Sequence, residues 1–286
     1  MFCINLCDIF SLHSRDHIKT FIDRLEGMTQ KKVKRIYIGS YFCDRYFLNF
    51  YGYKELLLYC QTKKMHVTLV VPVFSQNTLV RGKKKILEIC ECFEGVIDEI
   101  TVNDFGMLNY FKNNNHFKIN LGRLFFKNPR DCRIPEYTRS KVAPGLISKL
   151  NQGFWKDQMI NCIELDSTNQ MLDVSGVKNL DVGIALHTPF CYMTTGKICK
   201  FASIHKNIDK KFRPNTVCQM ECMSIIDTYT GHVATINCDT VIYRIGRTLF
   251  FESGDSKIIG KNLERLIYFP IKEWGECMHE NFSSSK

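Results

Sequence analysis

Long apolar runs are missing from this chain of 286 residues. The longest, "VTLVVPVF" at 67–74, falls far short of the ~20 residues needed to span a bilayer. The opening "MFCINLCDIFSLHSRDH" has no basic segment followed by an apolar stretch and does not read as a secretory leader. No glycine-rich fingerprint follows the first apolar run, which argues against a dinucleotide-binding, doubly wound sheet. Neither an HExxH helix nor a GxSxG elbow is present, so zinc-peptidase and serine-hydrolase chemistry have no foothold. "DFG" at 104–106 comes without a glycine-rich loop or an HRD motif and is not a kinase signature. There is no internal repeat, and no low-complexity tract beyond the tail "SSSK".

Cysteine, by contrast, is abundant. The 14 cysteines are scattered through apparent strands and helices and lack the tight, even framework of small disulfide-stapled domains. A reduced, cytoplasmic compartment is the expectation. A formal charge of +10 favours anionic partners: nucleic acid, a carboxylate or phosphate substrate, an acidic protein or an anionic metal cluster. Within that total, "RGKKK" at 81–85 reads as the solvated face of a helix start. With 45% hydrophobic residues the chain can bury a full-sized core.

Short β-branched or aromatic runs alternate with longer helical patterns, the mark of repeated strand-helix units around a parallel sheet. Strands are expected at 3–7, 33–39, 66–74, 98–103, 117–122, 161–166 and 181–187, with an eighth within 240–251. Helices are expected over Asp16–Leu25, Lys54–Thr62, Asn77–Phe93 and Phe105–Lys112. So many units in one chain of this length predict an α/β fold, a (β/α) TIM-like barrel forming one domain over 1–286. Two long segments break the alternation: 127–158, and a cysteine-bearing insertion after strand seven, about 191–238. Long irregular connections tend to be functional.

In a parallel barrel the residues just past each strand's carboxyl end meet at one face. Those positions hold Cys43 and Arg45, Asn103 and Asp104, Arg123, Glu164 and Asp166, then His187 leading into Cys191 and Cys199. Asn103, Asp104, Arg123, Glu164 and Asp166 are the candidates to line a substrate-binding mouth. Each has a plainer reading. Cys43 could be a small buried hydrophobe, Asp104 a helix N-cap, and the arginine and carboxylates an ion-paired rim.

The stretch "GKICKFASIHKNIDKKFRPNTVCQMEC" (196–222) is harder to explain by packing. Cys218 and Cys222 lie about one helical turn or one loop apart, and Cys199 supplies a third thiol. Lys200, Lys206, Lys210, Lys211 and Arg213 lower the cost of holding several thiolates together. Such a set fits a metal or a cluster. A [4Fe-4S] cluster needs four thiolates and benefits from a basic collar. Structural zinc usually shows two close cysteine pairs, of which one is visible. The radical-type CxxxCxxC run is absent.

Taken in order, "IYIGSYFCDR", "TVNDFGML", "LGRLFFKNPRD", "IELD", "TPFCYMTTGKICKFAS" and "CQMEC" resemble the collagenase-like peptidase family U-thirty-two, most closely its UbiV-like branch, over about residues 33–222. The resemblance implies a barrel carrying one [4Fe-4S] cluster. It also implies a part in oxygen-independent hydroxylation, either of ubiquinone precursors by a UbiU/UbiV-like pair or of tRNA and rRNA bases. Its implied ligands are Cys43, Cys199, Cys218 and Cys222, with Cys191 in reserve as the fourth. Its implied partners are a related family member in a heterodimer and a small organic substrate or oxygen-donor acid such as prephenate. RNA is the alternative partner, with Phe125, Phe126 and Tyr137 as candidates to stack on bases. Two departures from the family pattern stand out: "GKIC" carries Lys197 where many relatives have arginine, and the spacer from Cys199 to Cys218 is longer.

Overall fold

A computed structural model describes residues 1–8, 15–112, 117–126, 157, 159–167, 172–214, 216–223, 225–233, 238–253 and 256–283. In chain order the elements are β1 (Phe2–Asn5), α1 (Arg15–Thr29), β2 (Arg35–Gly39), α2 (Asp44–Asn49), α3 (Tyr53–Thr62), β3 (His66–Val70), α4 (Leu79–Cys92), β4 (Ile97–Val102), α5 (Phe105–Phe111) and β5 (Lys118–Leu121). There follow β6 (Ile160–Asp166), β7 (Leu172–Asp173), β8 (Gly183–Thr188), β9 (Phe190–Thr195), β10 (Ile226–Val233), β11 (Cys238–Ile245), β12 (Thr248–Glu252), β13 (Ile258–Ile259), β14 (Arg265–Tyr268) and a closing helix, here α6 (Ile271–Ser283).

Eight parallel strands close on themselves in the order β1-β14-β8-β6-β5-β4-β3-β2. This is the (β/α) TIM-like barrel that the alternation predicts. Between its seventh and eighth strands, β8 and β14, the chain leaves the barrel and builds an antiparallel sheet of four strands, β10-β11-β12-β9. The cysteine segment lies in that excursion.

Segment 240–251 is therefore not the eighth barrel strand, as the sequence reading expected. It folds back on itself at Gly246–Arg247, so that Ile245 pairs with Thr248, and supplies β11 and β12 of the second sheet. Gly246 has φ +54, and a glycine at the first central position is what a type II′ hairpin turn requires. The barrel is closed instead by the four residues "RLIY" of β14, flanked by β1 and β8. A run so short, beginning with arginine, lacks the apolar signal of a buried strand. The irregular segment 127–158 lies, apart from residue 157, outside the described residues.

The barrel interior is polar for its class. Where such barrels are usually filled by Val, Ile and Leu, alternate inward positions here carry Glu99 and Thr101 on β4, Cys162, Glu164 and Asp166 on β6, and His187 on β8, all buried. At the amino-terminal end Glu99 accepts from Arg265 (Oε1 to Nη2, 2.8 Å) and from Asn120 (2.8 Å), while Arg35 makes a fork to Asp98 (2.7 Å on each arm). Burial would raise Glu99. The donors from Arg265 and the charge of Arg35 outweigh it and lower the carboxyl to about 2. Among the described residues no helix is long and apolar enough to cross a membrane.

Candidate thiol site at the carboxyl end of the barrel

Cys43 follows β2 and is set by a chain of short polar contacts. Its amide donates to Ser40 Oγ (2.7 Å), and Ser40 Oγ in turn donates to Asp8 Oδ1, beyond the end of β1. The thiol is the N-cap of α2 and accepts from the Tyr46 amide (3.4 Å). The sulfur thus lies over the first turn of α2, in the loop that follows β2.

The neighbouring carboxylate, Asp44, ties three segments together. Its Oδ2 accepts from the Ser75 amide (3.1 Å), Ser75 Oγ (2.8 Å) and Thr78 Oγ1 (2.8 Å). Its Oδ1 accepts from Arg247 (3.1 Å), and Lys197 Nζ stands 3.8 Å from Oδ2. Burial opposes ionisation of Asp44, but Arg247 and these hydroxyl and amide donors outweigh it and hold the carboxyl well below its usual range. Arg247, projected by the II′ turn, also donates to the Phe42 carbonyl. The hairpin of the second sheet is thereby clamped to the loop that carries Cys43.

The insertion brings the other thiols to the same place. Ser203 fixes the segment after Cys199, donating to the Cys199 carbonyl (3.0 Å) and accepting from the Phe212 amide (3.0 Å). Cys218 Sγ accepts from the Met220 amide (3.4 Å), and Met220 has φ +65, so the chain turns tightly between Cys218 and Cys222. Gly246 backs onto Cys222: a Cβ at this glycine would lie 3.8 Å from the sulfur.

Cys43, Cys199, Cys218 and Cys222 line one partly open cavity. The wall also carries Asp8, Asp44, Arg45, Lys197, Arg213 and Arg247. Burial pushes the Cys218 thiol up to about 11, and it raises Cys43 and Cys222 as well, with the other three thiols adding to the effect at Cys222. Among the described residues no three Cys, His, Asp or Glu side chains converge tightly enough to hold a single metal ion. The thiols ring a space and do not meet at a point.

Cys191, the reserve ligand, is placed elsewhere. It is fully buried on β9, opposite Phe251 of β12, with Sγ toward the Tyr192 carbonyl (3.6 Å), and it does not line the cavity.

Of the residues proposed for the substrate-binding mouth, Asn103, Arg123, Glu164 and Asp166 are buried and Asp104 is half-buried. Arg123 and Asp166 form a salt bridge in which neither side chain is exposed (0%/0%), with Arg123 Nε 2.7 Å from Oδ1. The rings of Tyr41, Phe42, Tyr192 and Phe250 surround the guanidinium, with its central carbon 5.5–5.9 Å from their centroids. Beneath them Glu164 accepts from Tyr41 Oη (2.7 Å) and Thr101 Oγ1 (2.6 Å), and its Oε2 meets His187 Nε2 at 3.1 Å. Asn103 donates to the Val71 carbonyl (3.0 Å). Asp104 caps α5 through the Met107 amide (2.8 Å). Phe125 and Phe126, candidates for stacking on bases, are buried as well, and Tyr137 lies outside the described residues.

Burial raises Glu164 to about 7, against the lowering effect of its hydroxyl donors. The folded protein therefore holds this proton more tightly than the unfolded chain does. The associated stability is fully present below the ordinary carboxylate range and is lost as pH rises through about 7. Wild type is expected to lose on the order of 1 kcal/mol per pH unit across that window relative to Glu164→Gln. Asp8, raised by burial to about 6, has the same sign but is common to both proteins and cancels in the comparison. Urea midpoints of the two proteins at a series of pH values check this, and parallel curves would refute it.

Asp8, Asp44 and Arg247 were not picked out from the sequence. Asp44 adjoins a predicted ligand, which was a usable signal. Arg247 and Asp8 reach the cavity only through the fold. Comparison of the chain with protein-family models, with curated proteins and with solved structures finds no match in any of the three.

Proposed function

We propose that this chain is an iron-sulfur barrel protein that takes part in oxygen-independent hydroxylation of a small organic substrate, as one subunit of a pair, as the resemblance to family U-thirty-two implies. The observation that carries the reading is that the four cysteines assigned as ligands from that resemblance, drawn from separate segments, line a single cavity.

The donor set suits a cluster in two respects. Zinc requires every sulfur to lie about 2.3 Å from one centre, whereas the ligands of a [4Fe-4S] cluster bind separate irons and stand apart around it. The wall is also cationic. Thiols raised by burial ionise only against compensating positive charge, which metal supplies and which Lys197, Arg213, Arg45 and Arg247 reinforce. A bound [4Fe-4S] cluster would supply one-electron transfer. The chain's own residues then have distinct tasks. Cys43, Cys199, Cys218 and Cys222 hold the centre, Asp44 fixes Arg247 and steadies Lys197, and Arg45 and Arg213 offer charge to a carboxylate such as that of an oxygen-donor acid.

Anaerobic purification followed by iron and acid-labile sulfide analysis tests the reading. About four of each per chain are expected, with broad visible absorption that bleaches on reduction. A colourless protein with stoichiometric zinc would sink it.

A further inference from the structure

The segment that carries Cys199 and Cys218 also carries an uncommon surface. Ile198, Ile204, Ile208, Phe212 and Val217 are all exposed, Ile208 to 90% and Val217 to 70%. Three of them are next in sequence to residues that line the thiol cavity: Ile198 to Lys197 and Cys199, Phe212 to Arg213, and Val217 to Thr216 and Cys218. They therefore stand at its rim. The rim is built structure, since Ser203 bonds to both Cys199 and Phe212, and Ile208 begins a 3-10 turn, Ile208–Lys210. Between Ile198 and Val217 the chain also carries Lys200, Lys206, Lys210, Lys211 and Arg213 against the single acid Asp209, and of these Lys200 is paired with Asp227 (2.7 Å). Exposed aliphatics cost solvation and are not grouped without a use.

Resting on the iron-sulfur reading of the cavity, we infer that this rim is the docking surface for an acidic one-electron carrier protein, whose apolar centre covers Ile208 and Phe212 and whose carboxylates meet the surrounding cations. Apolar core and charged rim is the anatomy of a protein interface, and complementary charge speeds a transient encounter. RNA fits less well, because four of the five apolar groups are aliphatic and offer no ring on which a base could stack. A lipid surface would bind the same cations but would deliver no electron to a centre held beneath them. In the encounter a cluster held by the four thiols would accept one electron from the reduced carrier, which would leave oxidised by one. No bond forms and no proton moves.

The test measures binding of the full chain, as purified anaerobically, to two acidic probes, a [2Fe-2S] ferredoxin and an FMN flavodoxin, at low and high salt. At least one is expected to bind at low salt and to release as salt rises. Ile208→Ser is expected to weaken that binding roughly tenfold or more with iron and sulfide content unchanged, and Lys210→Glu combined with Lys211→Glu to weaken it by as much. The proposal is overturned if neither carrier binds, if the variants bind as wild type does, or if the rim variants lose binding only to tRNA or to phosphatidylserine vesicles. Iron-free wild type that still binds a carrier through this rim would remove the cluster reading and leave the docking surface standing.

Discussion

Asp166→Ala is expected to lower folding stability by about 3–5 kcal/mol, the usual cost of leaving one partner of a buried ion pair uncompensated. Arg123 has no alternative to its charge, since a guanidinium is not deprotonated in proteins. Its other neighbours include the Phe190 carbonyl (3.1 Å) and the faces of four rings, which soften a positive charge without neutralising it. Such a loss is a large fraction of a typical domain's ~5–15 kcal/mol. Urea unfolding of the variant measures it. A double replacement, Arg123→Met with Asp166→Leu, is expected to recover most of the loss, because removing both charges also removes their desolvation cost. A shift of less than about 1 kcal/mol for Asp166→Ala would mean that water reaches the pair and that the barrel end is open. The geometry assigns these two residues to closing the barrel beneath the thiol cavity, with Tyr41 and Phe42 as the shared layer between them.

That assignment bears on what could be read from sequence. Strand alternation located seven of the eight barrel strands, because β-branched runs such as "RIYIG" and "INCIELD" are buried on both faces and announce themselves as apolar stretches. β14 escaped, since its place in the barrel comes from pairing with β1 and β8 and not from its own four residues. The rule that strand ends converge put Cys43 and Cys199 in one region. It put Glu164, Asp166 and Arg123 there too, without distinguishing side chains that face the cavity from those that point down the barrel axis. Period-two alternation along β6 makes Cys162, Glu164 and Asp166 inward residues, and inward residues beneath an aromatic layer are packed away from solvent. No aromatic layer could be foreseen, because Tyr41, Phe42, Tyr192 and Phe250 come from three distant parts of the chain. Arg247 was hidden for the same reason: its role depends on a hairpin that packs against the loop after β2.

The fourth cysteine ligand is where geometry separates two residues that sequence left open, and Cys43→Ser and Cys191→Ser are expected to differ in kind. After anaerobic purification Cys43→Ser should have lost most of its iron, while Cys191→Ser should retain the wild-type content. Cys43 lines the cavity with Cys199, Cys218 and Cys222. Cys191 lies fully buried on β9, paired opposite Phe251 of β12 and away from that cavity, so β9 would have to rearrange for its sulfur to reach the other three. Serine is the informative replacement at 43. Its hydroxyl can still cap α2 by accepting from the Tyr46 amide, so iron loss in that variant cannot be ascribed to a frayed helix. Circular dichroism and the urea midpoint of Cys43→Ser should accordingly stay close to those of the metal-free wild type. Iron retained in Cys43→Ser but lost in Cys191→Ser would transfer the ligand role to Cys191 and require the β9 edge to rearrange when metal binds.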